Sequence, residues 1–256
     1  MVADNFILET RGLTRVFAGF TAVKSVDLRV RRGSIHSLIG PNGAGKTTCF
    51  NLLTKFLAPT AGKIIFSGED ITRAAPAAIA RRGVIRSFQI SAIYPNLTAA
   101  ENVGIALQRA TKSSYLFWKN SRVLAGLRPR AIELLDEVGL AADADTRAAE
   151  LPYGSKRALE IATTLAMDPA LMLLDEPTQG MGHEDIDRVT SLIKRVAEGR
   201  TILMVEHNMK IISSISDTIT VLQRGEILAE GNYAQVSTDA RVKEAYMGAD
   251  DESGNS

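Results

Sequence analysis

Apolar and polar residues alternate in three short stretches near the start of the chain: residues 6–9 (FILE), 22–30 (AVKSVDLRV) and 62–68 (GKIIFSG). A period of two places Val26, Leu28 and Val30 on one side of an extended segment, so these stretches predict a small strand-rich layer. Two later runs, residues 170–174 and 201–205, are almost wholly apolar, the pattern of parallel strands covered on both faces. Elsewhere the spacing is helical. Within residues 97–140, Ile132, Leu135 and Val138 repeat on one face and Gly139 is placed to stop the helix. Ala158, Ile161, Ala162 and Leu165 define a second face, and Ile186, Val189, Ile193 and Val196 a third. An alanine-rich piece, residues 74–82, leads through Gly83 into a short strand, VIRSFQ, ending on Gln89. Residues 218–230, with the Gly225 turn between Leu222 and Ile227, read as a terminal hairpin. A short helix over 241–247 precedes a polar tail, residues 248–256, expected to be disordered. Residues 1–89 and 166–247 thus make an α/β core, and residues 90–165 a helical subdomain inserted into it.

The junction after the apolar run at residues 35–39 gives this pattern a chemistry. It reads GPNGAGKTT, that is Gly40, Pro41, Asn42, Gly43, Ala44, Gly45, Lys46, Thr47 and Thr48, and it opens a helix-like stretch, residues 49–57. Glycines at 40, 43 and 45 allow positive φ, so that successive N–H groups turn inward and the backbone approaches an anion closely. Lys46 supplies a full positive charge for the β- and γ-phosphates, the Thr47 hydroxyl is placed to ligate Mg²⁺, and the following helix points its positive end at the same phosphates. The expected ligand is a nucleoside triphosphate, ATP, with magnesium.

The other strand ends carry polar groups that fit such a ligand. Asp175 and Glu176 follow the buried run at 170–174, and adjacent carboxylates there are costly to desolvate unless they serve something positive. Magnesium is the natural partner of Asp175, and Glu176 is placed to polarise a water for attack on the γ-phosphorus. The bland alternative is a capping pair before the Pro177 turn. His207 follows the run at 201–205, where it could contact the γ-phosphate; His36 and His183 have no such placement. Gln89 is a candidate for the metal or the attacking water. Phe17 reads equally as a core aromatic and as a ring stacked on adenine.

Composition narrows the partners. The 256 residues include 30 basic and 29 acidic ones, a net charge of +1, so there is no broad field for gripping nucleic acid. Cys49 is the single cysteine and forms no internal disulfide; it reads as a small buried apolar residue. A leader segment and a bilayer-spanning apolar stretch are both missing from the pattern, so a cytosolic location is expected, with membrane association through a partner. Tyr115, Leu116, Phe117 and Trp118 form a compact apolar cluster, open to either core packing or a partner-facing patch.

Taken in order, these pieces resemble the ATP-binding subunit of an ABC transporter over nearly the whole chain. An aromatic precedes the first core strands, then come GPNGAGKTT, Gln89, a loop before a helix at 151–155, LMLLDEP at 171–177, and His207. The resemblance implies a P-loop NTPase (RecA-like) core with an N-terminal antiparallel β layer and an inserted α-helical subdomain. It also implies roles: Phe17 on adenine, Lys46 and Thr47 on phosphate and magnesium, Gln89 on the metal and reporting to a transmembrane partner, Glu176 as the water-activating base, His207 as the γ-phosphate sensor. Leu151, Pro152, Tyr153, Gly154 and Ser155 would act in trans, across a head-to-tail dimer that buries two ATP molecules.

The chain departs from the family pattern in places. LPYGS stands where the signature is commonly LSGGQ, so Pro152 removes a hydroxyl and an N–H, and such a donor is worth a few kcal/mol to a transition state. Gly182 stands where many members carry aspartate. Both departures point to one weaker composite site and a heterodimer with a more regular partner. The tyrosine before the signature glycine, the LEIA helix, the EHNM string and the ending VKEAYMG are similar to the ATPases of branched-chain amino-acid importers, which use two permeases, two different ATPases and a solute-binding protein at the cytoplasmic membrane. Lipopolysaccharide-export ATPases and soluble ABC ATPases are the alternatives.

Overall fold

The computed structural model describes residues 5–87, 93–110 and 120–252. Gln89 and the Tyr115–Trp118 cluster lie outside them. Two sheets organise the chain. The first is antiparallel: β1 (Phe6–Phe17) pairs with β2 (Phe20–Val26), β3 (Arg29–Arg31) and β5 (Ala61–Phe66), and β6 (Glu69–Asp70) extends it. The alternating stretch at 22–30 is two strands, interrupted at Asp27 and Leu28; Ser25, with φ 49°, lies inside the first of them. Val26, Leu28 and Val30 are nevertheless all buried, as their alternation requires.

The second sheet has the order β11-β10-β4-β9-β8-β7, comprising β4 (Ile35–Ile39), β7 (Val84–Arg86), β8 (Leu171–Asp175), β9 (Ile202–Val205), β10 (Thr218–Gln223) and β11 (Glu226–Gly231). All pairs are parallel except β10 with β11, so the predicted hairpin is also the edge of the central sheet. The nearly continuous apolar runs have a simple cause. In β8, Leu171 and Leu173 enter one core with the β layer while Met172 and Leu174 enter another with the helices; in β9, Leu203 and Val205 separate from Ile202 and Met204 in the same way. Each such side chain contributes about 1.5–3 kcal/mol by leaving water.

The helical side is formed by α3 (Ala99–Ala110), α4 (Asn120–Glu137), α5 (Tyr153–Leu165) and α6 (His183–Val196). Their buried residues, Val103, Leu134, Leu159, Ile161 and Val189 among them, share one core with Met172 and Met204 of the sheet. Among the described residues these helices are thus packed onto the strands that carry the site. On the other face lies α1 (Lys46–Leu53), and α2 (Pro76–Arg81) leads into β7. Two short helices, α7 (Met209–Ile215) and α8 (Tyr233–Thr238), were not signalled by periodicity. The latter is fixed by a capping box between Asn232 and Gln235.

One expectation is corrected. The final helix, α9, runs over Ala240–Glu252, so residues 248–252 are helical and not part of a disordered tail. A single Gly248 costs a helix only about 1 kcal/mol, and Ala249 and Glu252 favour its continuation.

Candidate functional site

Because β4, β7, β8 and β9 are parallel, their carboxyl ends lie along one edge of the sheet, the position at which open α/β sheets bind ligands. Register aligns them: Leu38 and Asp175 both pair with Val205, so Ile39, Glu176 and Glu206 come next side by side, with Gly40 one residue beyond.

The phosphate loop follows β4. Gly40, Gly43 and Gly45 have φ of 146°, 77° and 99°, as an inward-turned loop requires. Packing adds a second constraint: a Cβ on Gly40 would lie 2.1 Å from Leu222 O, and one on Gly45 2.4 Å from Ala22 O, whereas one on Gly43 would meet nothing within 4 Å. The loop is thus wedged between β10 and β2. Asn42 and Thr47 are exposed, Pro41 and Thr48 half-buried and Ala44 buried. Gly45 caps α1 without a side-chain acceptor, which leaves the helix N–H groups directed at the loop. Lys46 Nζ donates to the loop's own carbonyls, Gly40 O at 2.6 Å and Pro41 O at 2.9 Å. Burial pulls its pKa below the ordinary lysine value, and the Glu176 and Asp175 carboxylates oppose that pull. Tyr246 of α9 packs beside Gly40, its phenol pushed up to about 12 by burial.

At the end of β8, Glu176 has φ 44°, a left-handed conformation uncommon outside glycine and concentrated at functional turns. Its amide is tied to Val205 O at 2.9 Å. The Asp175 carboxylate pairs with Arg86 of β7, whose other nitrogen donates to Asn51 Oδ1 of α1 at 2.6 Å. Arg86 carried no assignment in the sequence; its one signal is a cation inside an otherwise apolar strand.

Glu206 was also missed. Fully buried at 0% exposure, it accepts from the Thr178 hydroxyl on one oxygen and from the His207 and Asn208 amides, at 2.7 and 3.0 Å, on the other. It joins the loop after Glu176 to the loop bearing His207, whose ring is exposed and has Nδ1 3.7 Å from Glu206 Oε2. Phe17 is 37% exposed, which removes the core-packing alternative; the Arg15 guanidinium lies 4.5 Å from the ring centroid. Cys49 is buried, with its thiol pushed up to about 12 by that burial. His36 is buried in β4, bonded to Thr220 Oγ1 at 2.8 Å and pulled down to about 4 by burial.

The segment at 151–155 starts α5. Leu151 is buried, Pro152 occupies the N-cap, where it costs the helix no N–H, and Ser155 is half-buried. The Tyr153 hydroxyl donates to Gln179 O at 3.2 Å, and a Cβ on Gly154 would lie 2.8 Å from Asp185 Oδ1. Gly154 thus lies against the Asp185 side chain at the start of α6.

A glycine-lined loop between a parallel strand and a helix, with carboxylates on the neighbouring strand ends, defines a nucleotide-binding cassette of the P-loop type. Residues 23–179 match the profile of the ABC transporter family, and residues 226–252 that of the branched-chain amino acid ATP-binding cassette transporter. The high-affinity branched-chain amino acid transport ATP-binding protein BraF of Pseudomonas aeruginosa is 39% identical over 249 residues, 94% of this chain and 98% of that protein. Its counterpart LivG of Escherichia coli is 37% identical with the same coverage. An ATP-binding cassette of an ABC transporter, solved in its ADP conformation, superposes with a TM-score of 0.81 at 28% identity, covering 95% of this chain and 99% of the other. The chain belongs to the ABC transporter family, as an ATP-binding subunit.

Proposed function

We propose that this chain binds and hydrolyses ATP to drive uptake of branched-chain or related amino acids through a membrane complex. The observation that carries this reading is the meeting, on one sheet edge, of the phosphate loop, Asp175–Glu176 and Glu206–His207, in a chain whose relatives are named for branched-chain amino acid transport. In this reading the Gly40–Thr48 backbone and Lys46 hold the phosphates, Phe17 stacks on adenine, Glu176 accepts the proton of the attacking water and His207 contacts the γ-phosphate. Thr47 and Asp175 are hard oxygen donors that suit Mg²⁺, whose chemistry is to neutralise phosphate charge; Gln89 joins them in the sequence-based assignment. Bound there, the ion would take further oxygen ligands from the nucleotide's phosphates and water.

Partners follow. The relatives named for branched-chain amino acid transport support permease partners and a place at the cytoplasmic face of the membrane; no helix among the described residues is long and apolar enough to cross a membrane. A groove of about 520 Å³ supports docking of a permease segment: it runs between α2 and β7 on one side and α3 and α5 on the other, with Phe56 and Tyr94 exposed and Ile79, Ile85 and Met167 in its wall. The segment at 151–155 completes the ATP site of a second ATPase subunit, and Pro152 and Gly182 favour a heterodimer. Solute specificity rests with the permeases and a solute-binding protein.

Affinity purification of the tagged chain from detergent-solubilised membranes, with magnesium and a slowly hydrolysed ATP analogue, tests this. Two permeases and a second ATPase are expected by mass spectrometry. Identical copies of the chain with lipid-export permeases, or ribosomes and nucleic-acid enzymes without membrane proteins, would overturn it.

A further inference from the structure

A buried ion pair links α5 to the turn that carries Glu176. Arg157 and Glu160, at 5% and 2% exposure, pair with each other one helical turn apart. The Arg157 guanidinium also crosses to the end of β8, where Nε donates to Pro177 O at 3.1 Å and Nη2 approaches Asp175 O at 3.5 Å. These two carbonyls stand immediately before and after Glu176. One side chain from the helical layer therefore brackets the residue whose backbone holds a left-handed φ of 44°.

Stability is a weak account of such a pair. A buried Arg–Glu pair is often no more stabilising than apolar residues of the same volume, because both ions must leave water. Burial pushes the Glu160 carboxyl up to about 7, with Arg157 pulling the other way. Ser87, buried just after β7, is the polar neighbour of the Glu160 carboxylate and also favours its charged form. The pair sits where the helical layer meets the end of β8, with Glu160 and Arg86 both in the wall of the 520 Å³ groove.

We infer that Arg157 is a positioning residue for Glu176, holding the Asp175–Pro177 turn by its flanking carbonyls, and that Glu160 fixes the guanidinium for that task. This rests on the assignment of Glu176 as the base. Lysine at 157 keeps the charge beside Glu160 but cannot reach both carbonyls with a planar fork, so charge and bracketing are separable. Glutamine at 160 keeps the shape and loses the charge that orients Arg157.

The test uses the complete transporter reconstituted in lipid, carrying the parent chain, Arg157→Lys or Glu160→Gln. Turnover is referred to ATP-binding sites titrated in the same preparation, so misfolded protein is not counted. Arg157→Lys is expected to lower kcat at least about tenfold, the scale of a sub-ångström displacement of a catalytic group. The KM for ATP should stay within about twofold, since the phosphate loop is untouched. Glu160→Gln should fall between parent and Arg157→Lys. Amide exchange at Gln179 and Met181, which are bonded within this turn, should rise in both variants. Parent-like kcat in Arg157→Lys overturns the inference, as does a loss expressed in KM. A parent complex that binds ATP without hydrolysing it would overturn the assignment of Glu176, and this inference with it.

Discussion

Replacing Glu206 separates a structural tether from a catalytic one. Its carboxylate satisfies three donors: the buried Thr178 hydroxyl and the His207 and Asn208 amides. In Glu206→Ala the hydroxyl is stranded in a dry site, at about 1–3 kcal/mol, while the two amides, beside exposed His207, recover much of their loss from water. The sum is about 2–4 kcal/mol, or about 5–15 °C in Tm for a chain of this size. In Glu206→Gln the amide oxygen can accept both backbone N–H groups and its NH₂ can donate to Thr178. Only charge assistance is lost, so the expected cost is about 1 kcal/mol. Chemical denaturation of the two variants measures these costs directly. If the carboxylate also sets the path of the His207 loop, Glu206→Ala should lower ATP turnover per folded molecule at least about tenfold while Glu206→Gln stays within a few-fold of parent. Equal stability of Glu206→Ala and the parent would refute the hydrogen-bond reasoning, and equal turnover would refute the link to His207.

Acid should destabilise the fold through His36. Its pKa lies at about 4 in the folded chain against an ordinary 6.5, so the unfolded chain takes up the proton first. Stability is complete above pH 6.5 and falls by about 3 kcal/mol as pH drops to 4, a slope that urea midpoints should show and His36→Asn should flatten. In the phosphate loop, Gly40→Ala and Gly45→Ala drive a Cβ into backbone oxygen and should cost more than about 3 kcal/mol. Gly43→Ala pays only for its φ, about 1–2 kcal/mol, and equal Tm losses at the three positions would contradict the packing. Lys46→Ala should abolish ATP binding, measured by titration with a fluorescent nucleotide, while leaving Tm unchanged or raised, because burial works against the ammonium.

Local chemistry was legible in the sequence and long-range pairing was not. The apolar runs that became β8 and β9, the helical faces through Leu135, Ile161 and Val189, and the glycines at 40, 43 and 45 each follow from spacing within a few residues. Burial of Cys49 agrees with the apolar role its position suggested, and exposure of Phe17 weighs against core packing alone. Arg86 with Asp175, Thr178 with Glu206, and Arg157 with Pro177 join residues 89, 28 and 20 positions apart, and nothing in a local period encodes them. Two boundaries were misjudged for a related reason: the alternating run at 22–30 is interrupted at Asp27, whose carboxylate accepts from the distant Gly12 amide, and Gly248 is too weak a breaker to end α9.

The central claim is that ATP held by the Gly40–Thr48 loop is hydrolysed with Glu176 as the base. Phosphate release by the purified transporter, compared between parent and Glu176→Gln at saturating Mg-ATP, tests it most directly. The account predicts that the variant binds ATP as the parent does and turns it over at least about a hundredfold more slowly. Turnover equal to the parent's would contradict it.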